Sequence, residues 1–147
     1  MGEQIPAIPP GGSGGPANLR QPQGQFIYRS MASCSDPPCA GDRDLGVRED
    51  YDVHPDADGM IKPLDGGMSV SPDDPLRLPR HRRPPILGGT GKKPVWETNL
   101  AIVPDELVYR QTSDDHGLLE PERVIRLDEF RAQLESTADR WTLNANV

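Results

Sequence analysis

Apolar positions along the chain come in short bursts separated by Pro- and Gly-rich breaks, with one longer periodic stretch near the C-terminus. Residues 1–24, rich in Gly, Pro, Gln and Ala, show no hydrophobic period and read as a flexible leader, which leaves 25–147 as a single domain. Phe26-Ile27-Tyr28 is a compact β-prone run ending at Arg29. Between 32 and 66, Asp-Pro-Pro, Ala-Gly-Asp, His-Pro-Asp and Asp-Gly break regular structure, so this stretch reads mostly as loop. Gly66-Gly67-Met68-Ser69-Val70 reads as a short strand flanked by glycines. Prolines crowd residues 71–94, whose backbone can donate little to a sheet, and they form either a mobile loop or a wrapped irregular arm. Val95-Trp96-Glu97 opens a strand, Pro104-Asp105 marks a turn, and Leu107-Val108-Tyr109 and Val124-Ile125 are further strands. Leu127, Phe130, Leu134, Ala138 and Trp141 recur at helical steps and predict one amphipathic helix, with Asp128 as its N-cap and Glu129 in its first turn. The expected class is α+β: short strands, long Pro/Gly-rich loops and a C-terminal helix.

Composition narrows this further. In 147 residues, 34% are hydrophobic and 5% aromatic, while 15 Gly and 17 Pro are nearly twice their usual share of about 12%. A large oily core, a long helical bundle and a coiled coil are excluded. No apolar run approaches the ~18 residues needed to cross a bilayer, and the N-terminus lacks the basic, apolar, small-residue order of a secretory signal. A soluble, cytoplasmic protein without membrane contact is the expectation. The net charge of −7 argues against general nucleic-acid binding, which needs a basic face. The charge is uneven, at +1 over 1–35, −8 over 36–74, +6 over 75–96 and −6 over 97–147. The basic block of Arg77, Arg80, Arg82, Arg83, Lys92 and Lys93 could hold a phosphate-bearing ligand or neutralise its acidic neighbours.

Familiar chemical signatures are incomplete. From His54 to Asp65 the chain approaches a calcium loop, with Gly59, Ile61 and Asp65 in suitable places, but His54 stands where a carboxylate is required. Gly88 to Lys93 has the flavour of a phosphate loop without its glycine spacing, and Pro94 follows. His54, His81 and His116 lie far apart, so no metal site is expected. Cys34 and Cys39 allow a local disulfide, but nothing implies an oxidising compartment, and free thiols are the expectation. What remains is a strand ending in Tyr28-Arg29, a later Gly66-Gly67-x-Ser69 strand and a late polar segment. The planar fork of Arg29 suits a diphosphate, Gly66 and Gly67 allow a ligand close to the backbone, and Ser69 offers a hydroxyl. Each also has a bland alternative: an Arg paired with an acid, a hairpin glycine pair, a capped turn.

Three sets of segments occur in a suggestive order over residues 26–141: Ile27-Tyr28-Arg29-Ser30; Asp58-Gly59-Met60 and Pro63 leading into Gly66-Gly67-Met68-Ser69-Val70; and Ile102-Val103-Pro104-Asp105-Glu106-Leu107 followed by His116 and Pro121. In these the chain resembles the small toxins exported by type VI secretion that are similar to ADP-ribosyltransferases. The resemblance implies an ADP-ribosyltransferase-like domain around a split β-core, with NAD as substrate. It implies contacts to NAD from Tyr28, Arg29, Gly66, Gly67 and Ser69, and catalytic roles for Arg29, Ser69, His116 and Glu120. The glutamate would be one of the pair Glu120-Pro121-Glu122, orienting the ribose and stabilising positive charge as the glycosidic bond breaks. It further implies action in the cytoplasm of a target cell and a cognate immunity protein. The alternative is a non-catalytic acidic partner or neutraliser of a toxin, since acidic surfaces steer toward basic ones.

Overall fold

A computed structural model describes residues 24–35 and 37–144; the leader expected at 1–24 lies almost entirely outside the described residues. Among these residues eight strands and one α-helix follow one another in the order β1 (Phe26–Ser30), β2 (Met60–Ile61), β3 (Met68–Pro72), β4 (Val95–Asn99), β5 (Leu107–Gln111), β6 (Gly117–Pro121), β7 (Ile125–Arg126), α1 (Leu127–Glu135) and β8 (Thr142–Leu143). Six strands form an antiparallel sheet in the order β5-β6-β3-β1-β4-β8, and β2 pairs with β7. The protein is α+β, with one C-terminal helix.

Alternation along β1 divides the molecule into two faces. Ile27 and Met31 enter the main core with Met68, Val70, Trp96, Leu107 and Leu119 from the sheet. Leu127, Phe130 and Leu134 of α1 close this core together with Leu45, Val47 and Val53 of the long loop and Ile61 of β2. Tyr28 points the other way and packs with Val95 and Leu78. The Pro-rich segment is therefore a wrapped arm, built from 3-10 turns at Pro75–Arg77, Arg80–Arg82 and Pro85–Leu87, whose Leu78 covers the second face. Prolines fix φ and surrender amide donors, so short turns replace a strand here.

Several local expectations are corrected. The helix begins before Asp128: the Arg126 amide donates to Glu129 Oε1 at 3.3 Å, while Asp128 pairs with the Arg126 side chain. It also stops at Glu135, and Ala138 sits in a separate 3-10 turn, although Trp141 still reaches the core. Val124 is exposed outside the two-residue β7. The cysteines form a Cys34–Cys39 disulfide. The Cys34 amide donates to the Pro37 carbonyl and that of Cys39 to the Ala32 carbonyl, and this reversal brings the two Cα atoms to 4.8 Å. Among the described residues no helix is long and apolar enough to cross a membrane.

Candidate functional site

The site begins where two central strands part. β1 stays paired with β4 as far as Ser30 opposite Val95, but its ladder with β3 ends at Tyr28 opposite Ser71. Into the opening beyond that point reaches the Arg29 guanidinium. Its Nε donates to the Asp44 carbonyl and its Nη1 to the Ser69 carbonyl, each at 2.6 Å. Only 6% of Arg29 is exposed. The Asp44 turn that receives it is itself held, since its carboxylate accepts from the Ala32 amide at 2.8 Å and from Lys93 Nζ at 2.7 Å. Burial pushes the Asp44 carboxyl up, but these two donors bring it below its ordinary value.

Ser69 and His116 meet across β3 and β6. Ser69 stands opposite Leu118, so its side chain shares a face with His116 two residues earlier, at the base of the 112–116 hairpin. His116 Nε2 lies 3.1 Å from Ser69 Oγ, and Nδ1 lies 2.6 Å from Thr112 Oγ1. Thr112 Oγ1 also donates to the His116 carbonyl at 3.1 Å. A hydroxyl has one hydrogen, so all three contacts hold together only if Nδ1 carries the ring proton. Nε2 is then the acceptor for the Ser69 hydroxyl. Burial lowers the His116 pKa below 6.5, so the ring is neutral at pH 7 and able to take a proton.

These side chains line one cleft of about 200 Å³, together with Asp42, Arg48, Asp52, Leu78, Pro79, His81 and Arg82. Arg48 and Asp52 neutralise each other through two contacts of 3.2 Å, and Asp42 lies 3.6 Å from Arg131. Arg82 has no side-chain partner among the described residues. The pKa of Arg29 falls to about 10, first through burial and next through the positive charge of Arg82. It remains charged at neutral pH.

The other expected site residues lie elsewhere. Tyr28 does not line the cleft: Leu78 of the arm covers it, and burial raises its pKa. Gly66 and Gly67 serve the chain's own close contacts rather than a ligand's approach. A Cβ at Gly66, where φ is +117°, would stand 2.1 Å from the Asp52 carbonyl oxygen, and one at Gly67 2.2 Å from that of Leu119. Glu120 does not line the cleft: it is 2% exposed and bound through both oxygens to Arg110, at 2.9 and 2.7 Å. Glu122 is exposed just past the end of β6. The near-calcium loop is a turn in which the Asp56 carboxylate accepts from the amides of Asp58 and Met60. Among the described residues no cluster of His, Cys, Asp and Glu suits a metal. Sequence reasoning missed Arg48, Asp52 and His81; for Arg82 the signal was the acid-free basic run that contains it. Comparison with family models, curated proteins and solved structures finds no match for this chain.

Proposed function

We propose that the cleft binds NAD and that the protein is an ADP-ribosyltransferase-like toxin, delivered by type VI secretion to act in the cytoplasm of a target cell. One observation carries the reading: Arg29, Ser69 and His116, separated by 40 and 47 residues, gather around one cleft floored by a buried guanidinium. At about 200 Å³ the cleft is smaller than the ~300 Å³ at which drug-sized ligand pockets begin, so it would enclose only part of a dinucleotide. The buried Arg29 is suited to the phosphate or ribose, and Ser69 to the nicotinamide-ribose end.

In the transfer, the nicotinamide–ribose bond breaks with its electron pair going to nicotinamide, and a lone pair of the acceptor forms the new bond at the same carbon. The acceptor's proton needs a base. Neutral His116 supplies one beside the reacting region, while the two carboxylates that line the cleft, Asp42 and Asp52, each face an arginine.

Calorimetry with NAD, an assay of nicotinamide release and induced expression in bacteria test this together. The expected results are NAD binding, growth inhibition by the wild type, and loss of both in Arg29→Ala and Ser69→Ala variants that remain folded. Growth inhibition that survives both substitutions would put the site elsewhere. Silence toward NAD, with a second protein co-purifying, would favour the acidic binding partner instead.

A further inference from the structure

Arg29 and Arg82 bring two positive charges to one cleft, and the carboxylates of Asp52 and Asp44 act on Arg29 only through space, without a hydrogen bond to it among the described residues. Arg29 spends Nε and one Nη1 hydrogen on carbonyls, which are neutral, and its Nη2 meets no hydrogen-bond partner among the described residues. A second guanidinium, from Arg82 on the 3-10 turn Arg80–Arg82, lines the same cleft. The two are close enough that Arg82 is the leading charge depressing the Arg29 pKa. Like charges facing one another in a partly desolvated site oppose each other unless an anion joins them. Other arginines nearby are already engaged, Arg48 with Asp52 and Arg77 with Asp73.

Their origins also differ. Arg29 is anchored in the central strand, whereas Arg82 comes from the wrapped arm, which is held by Leu78 against Tyr28 and Val95. The backbone of the turn is fixed as well, through the Arg82 amide to the Pro79 carbonyl at 2.8 Å and the Thr90 amide to the Arg80 carbonyl at 3.0 Å. A guanidinium carried on a turn of fixed backbone, with no side-chain partner among the described residues, is free to offer an oxyanion two parallel hydrogen bonds.

We propose that Arg82 and Arg29 form a two-sided clamp for a diphosphate, one guanidinium from the arm and one from the strand. This rests on the reading of the cleft as an NAD site, and assigns the diphosphate of that ligand to a position between strand and arm. It also gives the basic arm a role: Arg82 selects for ligands that carry two linked phosphates over nucleosides without them.

Calorimetric titrations with inorganic pyrophosphate, ADP-ribose and NAD test it on the wild type, Arg82→Ala, Arg82→Lys and Arg80→Ala. Arg80 is an exposed neighbour on the same turn that does not line the cleft. Thermal melts check that the variants fold, which is expected because the Arg82 side chain makes no bond among the described residues. The clamp requires that Arg82→Ala weaken all three ligands at least tenfold, that Arg82→Lys recover part of the loss, and that Arg80→Ala stay within twofold of wild type. NAD binding that Arg82→Ala leaves unchanged overturns the clamp while the NAD reading stands. Arg82-dependent binding of pyrophosphate without binding of NAD keeps the clamp and removes the NAD reading. A wild type that binds none of the three overturns both.

Discussion

Two buried charges on this sheet are handled in opposite ways. Glu120 on β6 is met by both donors of the Arg110 fork on β5, a neighbouring strand, so its charge is cancelled within the sheet. Arg29 on β1 is hydrogen-bonded only to carbonyl oxygens among the described residues, and the charge that acts most strongly on its pKa is another cation, Arg82, with Asp52 and Asp44 opposing it more weakly. A buried carboxylate bonded in a fork needs nothing further from outside the protein. A buried cation left with neutral partners and a like-charged neighbour is incompletely compensated, which is the condition expected of a place that awaits a ligand. The contrast teaches that burial of charge alone does not mark a site; what marks it is whether the protein has already supplied the counter-charge.

The comparison breaks most readily at the pair. Arg110→Met leaves the Glu120 carboxylate buried without its cation, and is expected to cost about 3 kcal/mol in urea unfolding. Arg110→Met combined with Glu120→Leu is expected to cost less than the single change, because no orphaned charge remains. A double variant as unstable as the single one would show that the pair is not what holds β5 to β6. Ligand binding by the folded fraction should be unaffected in both.

At the other pole, Arg29→Met is expected to lower stability by only about 1 kcal/mol, because the lost hydrogen bonds are offset by removal of a desolvated charge beside Arg82. Its effect on NAD binding should be far larger than its effect on unfolding. Equal stability losses at Arg29 and Arg110 would erase the distinction between the two charges.

The smallest effect belongs to His116. Its folded pKa is lowered by burial, so the unfolded chain holds the proton more tightly. The sign follows: the contribution to stability is complete above about pH 6.5 and is lost as pH falls from there through the lower folded value. Unfolding followed between pH 7 and 5 should show this slope, His116→Gln should reduce it, and a ring-proton NMR titration should place the midpoint below 6.5. A midpoint above 6.5 would remove the neutral base from the site.

Much of the framework is legible one residue at a time. The bursts around Ile27, Val70, Trp96 and Val108 mark strands, and the spacing of Leu127, Phe130 and Leu134 marks the helix face that closes the core. These follow from local periodicity, because a strand or helix must turn its apolar positions to one side whatever it packs against. Arg29 and Ser69 could be singled out for the same reason, as polar groups placed at strand positions.

What the linear order could not specify is who meets whom. Gly66 and Gly67 read as open space for a ligand, and only the neighbouring loop and strand show that carbonyls of Asp52 and Leu119 fill it. Glu120 read as a catalytic acid until strand pairing set Arg110 beside it. The Cys34–Cys39 bond depends on a reversal of the chain that the intervening Ser-Asp-Pro-Pro does not announce. Arg82 joins Arg29 because the arm folds back across the sheet. Sequence patterning determines which positions are buried, since that depends on neighbours along the chain; counter-charges and close approaches come from segments far away in it, and strand order together with the paths of the long loop and the arm decides which of those are brought within reach.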